Sequence, residues 1–177
     1  MVNRGRPHPD EYAPAHEAYV AKVAGEDVIA VLGKQLAEFP GRFAALKESD
    51  AELRYAPGKW TLKEVLGHIN DCERIFSYRA LRIARADQTP MEGFEQDDYV
   101  RSGPFAACRL SDLVDEFTHI RRATLGLFRP LDEAAWRRRG VANKAEVSVR
   151  GLAYVIAGHV QHHAALLEEL YFPALAR

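Results

Sequence analysis

The sequence predicts an all-α protein: a four-helix bundle with an irregular N-terminal arm over residues 1–24 and a long loop between the second and third helices. Three observations carry this. Apolar residues recur at threes and fours through four long segments, no alternating strand pattern competes with them, and Gly, Pro and polar residues gather between them. The 177 residues suit one domain spanning 1–177, large enough to bury a real core. A content of 47% hydrophobic and 28% charged residues is the balance of a globular chain.

The arm is rich in Pro, His, Tyr and Ala, with one helical turn expected around residues 12–19. The first helix begins after Gly25 and carries Val28, Ile29, Leu32, Leu36, Phe39, Phe43 and Leu46 at helical spacing; Pro40 kinks it or ends its first half. The second has the clearest start. Thr61 and Glu64 form a capping box, Trp60 and Val65 sit where a hydrophobic staple closes, and the helix runs to near Arg85. Residues 87–109 hold Pro90, Gly93, Gly103 and Pro104 without sustained periodicity, and a connection that long is uncommon and often functional. The third helix starts near Ser111, with Leu113, Phe117, Ile120, Thr124 and Leu127 on one face. A short turn follows over residues 132–136, and residues 140–147 read as a loop or small hairpin. The fourth helix runs from Ser148 to about Tyr171, stopped by Pro173.

A formal net charge of −1 without a basic block excludes nucleic acid as the expected partner, because phosphate neutralisation needs clustered cations. The run Arg137-Arg138-Arg139 reads as a solvated helix end. No apolar stretch is long enough to cross a bilayer, and residues 1–10 lack the apolar core of a signal peptide. With only Cys72 and Cys108, a disulfide framework is not expected, and a reducing cytoplasm is the default location. A two-fold homodimer is the commonest assembly for such a chain, and a small molecule is the expected substrate.

The seven histidines separate by helical angle. At about 100° per residue, His159 and His163 fall in the middle of the apolar stripe Leu152, Val155, Ile156, Leu166, Leu170. His162 lies at its boundary and Gln161 points outward. An i, i+4 pair of inward imidazoles can converge on one metal ion, and a pair of hydrogen-bonded core histidines would give the same pattern. His68 is the lone histidine on the second helix and sits at the shoulder of its apolar face, where a facing helix can complete a site. Glu64 and Asp71 share that shoulder and could orient the ring; a solvated helix face reads equally well. Cys72 is one turn on and reads as a small buried core residue before a thiolate ligand. His119 reads as exposed, and His8 and His16 sit in the arm with no register.

The run Trp60-Thr61-Leu62-Lys63-Glu64-Val65-Leu66-Gly67-His68, with Asp71, Glu73 and Arg74, resembles the first-ligand helix of the DinB/YfiT-like superfamily. Gly158-His159-Val160-Gln161-His162-His163 resembles its second ligand motif. Tyr78 to Arg82, Thr89-Pro90, Gly93-Phe94 to Tyr99, the arm residues Pro9 to Pro14 and Ser148-Val149-Arg150 are similar to its branch of metal-dependent hydrolases. The resemblance implies a DinB/YfiT-type bundle holding one divalent ion, zinc or nickel, on His68, His159 and His163. It also implies a thiol-transferring enzyme that moves a low-molecular-weight thiol such as bacillithiol or mycothiol onto an electrophile. Two alternatives stay open: hydrolysis by metal-activated water, and a non-catalytic, stress-related metal- or ligand-binding protein. Many members continue Arg-Gly-Gln after the last ligand, where this chain has Ala164-Ala165-Leu166.

Three neutral imidazoles leave coordination positions open, as in catalytic sites. Water attack would need a general base, and none stands out in the sequence. Arg79 shares a side of the second helix with His68, where it meets an anionic group or, the favoured reading, forms a structural salt bridge. Asp98 and Tyr99 lie in the long loop, and Tyr12, Tyr19 and Asn143 are further candidates to line the pocket.

Overall fold

The structure, a computed structural model, describes residues 4–25 and 27–175. Residues 1–3 of the expected arm and 176–177 of the expected domain lie outside the described residues, as does residue 26. The arm makes two 3₁₀ turns, Pro9–Glu11 and Pro14–His16, and one helical turn α1, Glu17–Val20. α2 spans Val28–Glu38, started by Asp27, whose carboxylate accepts from the Ile29 N–H at 2.9 Å. The expected kink is a full change of pitch: Pro40 cannot donate to the helical ladder, and a 3₁₀ turn Pro40–Phe43 takes over.

α3, Leu62–Ala84, begins with the expected capping box. Thr61 Oγ1 accepts from the Glu64 N–H at 3.1 Å, and Glu64 Oε2 accepts from the Thr61 N–H at 2.7 Å. The long connection is not wholly irregular. It contains α4, Gln96–Ser102, and a 3₁₀ turn Phe105–Ala107, anchored by buried Val100 and Phe105. Single anchors leave no periodic stripe, which is why the sequence pattern passed over these elements.

α5 spans Leu110–Phe128 and α6 Glu133–Arg137. The small hairpin is present: β1, Arg139–Ala142, pairs antiparallel with β2, Ala145–Ser148. Asn143 and Lys144 both take positive φ, as a tight two-residue hairpin turn requires. Arg137 ends α6 exposed, as a solvated helix end, but Arg138 and Arg139 do not extend it. Arg138 donates to the Ala84 carbonyl, Arg139 pairs with Asp10 at 2.9 Å and Glu146 at 2.6 Å, and Arg137 pairs with Glu133 at 2.7 Å. The hairpin turns the chain there and sets Arg138 and Arg139 against their partners.

α7 spans Val149–Leu166, with Ser148 accepting from the Gly151 N–H at 2.8 Å. Pro173 does not stop the chain's helical path. A π turn, Leu167–Tyr171, shifts the bonding pattern, and Pro173 falls in the first turn of α8, Phe172–Leu175, where its missing N–H costs little.

α3 packs against α5 and α7, and α2 packs against the same two helices, closing a four-helix bundle of α2, α3, α5 and α7. Two apolar clusters fill it. One gathers Cys72, Phe76, Ala80 and Ile83 with Leu152 to Ala157; the other gathers Leu62, Val65, Leu66 and Ile69 with Val160 and Leu167. The clusters part between residues 69 and 72 on α3 and between 157 and 160 on α7. His159 stands at that seam, and His68 and His163 lie within about one helical turn of it. No helix of the described residues is long and apolar enough to cross a membrane.

Candidate metal centre

His68 on α3 and His159 and His163 on α7 are all buried. Nε2 of His159 lies 3.0 Å from Nε2 of His68 and 3.1 Å from Nε2 of His163. Three ring nitrogens therefore crowd one place. Each Nε2 offers a single in-plane site, one N–H or one lone pair. His159 cannot aim a good hydrogen bond at both neighbours. A cation resolves this conflict, because every lone pair can point at it. Nitrogens bound to zinc at about 2.0–2.1 Å stand roughly 3.3 Å apart in a tetrahedral site, close to the spacing here.

Burial favours the neutral rings that metal binding requires. It pulls His68 down to about 4, with His162 adding to the drop, and His163 down to about 3, with His68 and His162 adding. His159 is held well below its ordinary value by burial and then by His163 and His68. Nδ1 of His163 is buried without a hydrogen-bond partner.

Cys72 is buried as expected, and it also reaches the histidines. Its Sγ lies 3.6 Å from Nδ1 and 3.7 Å from Nε2 of His68. His68, Cys72 and His159 each bring one ligand atom within 4.8 Å of the others. Two ligand sets thus share His68 and His159, completed by His163 or by Cys72. Burial and then Asp71 push the thiol up to about 12, whereas His163 offers a neutral lone pair at shorter range.

Two cavities meet the cluster. One of about 310 Å³ is lined by His68, Cys72 and His159 together with His16, Tyr19 and Arg79. Another of about 320 Å³ reaches His163 and is walled by Tyr55, Trp60, Asp97 and Tyr171. The arm supplies part of the first wall. The Tyr19 ring stands edge-on to His159 at 5.3 Å, and His16 stands edge-on to Phe76 at 5.7 Å. Nδ1 of His16 is buried without a partner, and burial, then Arg79, lowers the ring's pKa. Sequence reasoning passed over His16, because an irregular arm has no period and its residue type was the one available signal.

Arg79 is 5% exposed, with its guanidinium 5.8 Å from the Phe76 ring and 5.9 Å from the Phe94 ring. Its Nη2 donates to the Glu92 carbonyl at 2.6 Å. The structural salt bridge expected for it is absent among the described residues. Its helical neighbours Ile75, Phe76, Arg82 and Ile83 offer no carboxylate.

The other candidates scatter. Glu64 serves the helix start and pairs with Arg54 at 2.8 Å, so its carboxylate is spent on the cap. Asp71 is half-buried with Arg74 3.7 Å away. Asp98 faces solvent and pairs with Arg101 one turn on, and Tyr99 is exposed with its ring 5.0 Å from Phe94. It is Asp97 that lines a cavity. Tyr12 is buried and donates to Glu17 at 2.6 Å, outside the histidine cavity, whereas Asn143 lines it. His162 is half-buried against Tyr19, and His8 and His119 are exposed.

The fold is similar to that of YfiT from Bacillus subtilis, described as a probable metal-dependent hydrolase with an unusual four-helix bundle topology. The TM-score is 0.74 at 18% identity, covering 90% of this chain and 91% of that one. It is also similar to a mycothiol-dependent maleylpyruvate isomerase, with a TM-score of 0.67 at 12% identity over 82% of this chain and 61% of that longer one. No curated protein matches the sequence. A family model described as the DinB superfamily matches residues 31–167, a span that includes all three inward histidines and all four bundle helices but for the first residues of α2, and the chain belongs to that superfamily.

Proposed function

We propose that this chain is a metal-dependent enzyme in which His68, His159 and His163 hold one divalent ion, zinc or nickel, and which transfers a low-molecular-weight thiol to an electrophilic substrate. The observation that carries the metal is the convergence of three neutral Nε2 atoms, with Nε2 of His159 at 3.0 and 3.1 Å from its two neighbours. An all-nitrogen donor set suits a borderline ion such as zinc or nickel. An ion held by three neutral imidazoles keeps its full charge and acidifies a thiol or a water beside it.

The chain's own residues supply the rest. His16 lines the same cavity as a neutral imidazole with an unpartnered nitrogen, and so can take the nucleophile's proton. Tyr19, Phe76 and Phe94 close that wall with aromatic surface and limit water. Two cavities, one at His68 and His159 and one at His163, give room for two reactants, which a transferase needs. The mycothiol dependence of a structural relative supports the same reading. Hydrolysis is the second reading, and His16 favours it too, since attack by water needs a base of this kind.

Elemental analysis of wild type beside His163→Ala tests the ligand set. About one equivalent of metal is expected in the wild type, with most of it lost in the variant. Full occupancy in the variant would falsify the set, leaving the combination with Cys72. A panel of bacillithiol, mycothiol, glutathione and cysteine with a generic electrophile tests the activity. Metal-dependent conjugation with at least one thiol is expected; ester hydrolysis without any conjugation assigns the second reading.

A further inference from the structure

Three arginines are buried among the described residues: Arg79, Arg121 and Arg150. Arg121 grips Glu73 with two nitrogens, at 2.7 and 2.8 Å. Arg150 grips Glu11 in the same two-pronged way. The fold thus answers a buried guanidinium with a carboxylate, as the cost of an unpaired interior charge demands. Arg79 breaks the pattern. It is as buried as Arg150, cannot shed its proton at any ordinary pH, and has no carboxylate partner among the described residues. It is the one cation among the residues lining the cavity beside His68 and His159, and Glu95 is the one acid there, solvent-exposed and not paired with it.

We infer that the molecule acted on at this site carries a carboxylate, and that Arg79 binds it. The guanidinium lies between Phe76 and Phe94, and Nη2 is tied to the Glu92 carbonyl. Nε, Nη1 and the second N–H of Nη2 remain to meet a planar oxyanion, and Nη2 with either neighbouring nitrogen makes the fork edge that suits a carboxylate. A single cation in a cavity of about 310 Å³ with aromatic walls matches a monoanion better than a phosphate dianion. Arg79 follows His68 by eleven residues on α3, roughly 16 Å of helical rise. Its side chain leans back toward the helix start, leaving on the order of 10 Å between anchor and histidines. The carboxylate therefore sits at the far end of the molecule from the reacting atom. This inference rests on the proposed reading only for where the chemistry happens.

The carboxylate could belong to the thiol or to the electrophile, and two probe pairs separate these sources. Glutathione is compared with its neutral-tailed diethyl ester, and 5-phenylpentanoate with its amide, by titration calorimetry against wild type, Arg79→Gln, Arg79→Lys and Glu95→Gln. In the wild type at least one acid should bind about tenfold or more tightly than its neutral partner, as a charge-assisted bidentate contact implies. A preference in the first pair alone assigns the carboxylate to the thiol, and in the second pair alone to the electrophile. Arg79→Gln should erase the preference, Arg79→Lys should keep a weakened one, and Glu95→Gln should leave it intact. Equal binding of acids and neutral partners, no binding of any probe, or a preference that survives Arg79→Gln overturns the inference. Thermal melts guard against a purely structural arginine. Arg79→Gln should melt at or above the wild type in buffer and lose the stabilisation that the acid gives the wild type; a Tm well below wild type also overturns the inference. Repeating the titration on His163→Ala separates the two ideas. The acid preference should persist there whatever the metal content proves to be.

Discussion

Arg121 and Glu73 form a closed fork between α5 and α3, with Nε and Nη2 donating to the two carboxylate oxygens at 2.7 and 2.8 Å and neither side chain exposed. Nη1 is also used, donating to Gln35 at 2.7 Å and so bringing α2 into the same joint. Removing one partner strands a charge in the core. Arg121→Met should destabilise the protein by about 3–5 kcal/mol in urea unfolding, whereas Arg121→Met with Glu73→Leu should recover most of that loss. Equal destabilisation by the single and double variants would show that the pair is not what holds the joint.

Gly158 lets the arm touch α7. A Cβ added there would stand 2.0 Å from the Tyr19 carbonyl oxygen, and one at Gly151 would stand 2.1 Å from the Glu11 carbonyl oxygen. Both obstacles are backbone, which cannot rotate away. Gly158→Ala should lift α1 from the bundle, raise the rate at which protease cuts residues 4–25, and lower the Tm. Glycine gives up helix propensity that alanine would restore, by about 1 kcal/mol, so a stabilised variant would show that the contact is slack.

Glu11 sets an acid limit on the arm. Burial pushes its pKa up, but hydrogen bonds from Arg150, the His8 N–H and Ser148 reverse this and hold it near 2, below the ordinary 4.5. A carboxylate depressed in the folded state stabilises the fold above its unfolded pKa and loses that contribution as pH falls through the folded value. Wild type should therefore lose Tm relative to Glu11→Gln between about pH 5 and pH 2, with no divergence between pH 6 and 8. A constant offset across the acid range would contradict it.

Chelation separates a working centre from a structural one. Two apolar clusters already draw on all of the bundle helices and their ends. Stripping metal should leave the far-UV helical signal in place, lower the Tm, and abolish thiol conjugation until zinc or nickel is restored. Collapse of the helical signal would mark a module folded by its metal and remove the case for catalysis.

What the sequence could show follows from distance along the chain. The Thr61–Glu64 cap and the inward register of His159 and His163 are local properties, fixed within one turn of helix, and both are in the structure as read. His68 is buried despite its place at the shoulder of the helical wheel, because α7 packs over that shoulder. The fork of Arg121 was illegible: it interrupts the apolar face of its helix, and its partner lies 48 residues away. The sequence favours a structural salt bridge for Arg79 over contact with an anionic group, and only three-dimensional packing shows that no acid among the described residues pairs with it. His16 depended on an arm whose path is set by two glycines far along the chain, at 151 and 158.

The crossing of Tyr19 over Gly158 divides labour in this molecule. The helices that carry the inward histidines are locked by caps and buried forks, so substitutions there disturb the whole. The wall that carries His16 and Tyr19 belongs to the arm, which the Arg150–Glu11 fork and the close approaches at Gly151 and Gly158 fasten to α7. A library confined to residues 13–19, where Ala13, Ala15, His16 and Tyr19 line the cavity, is therefore the economical place to redirect the site.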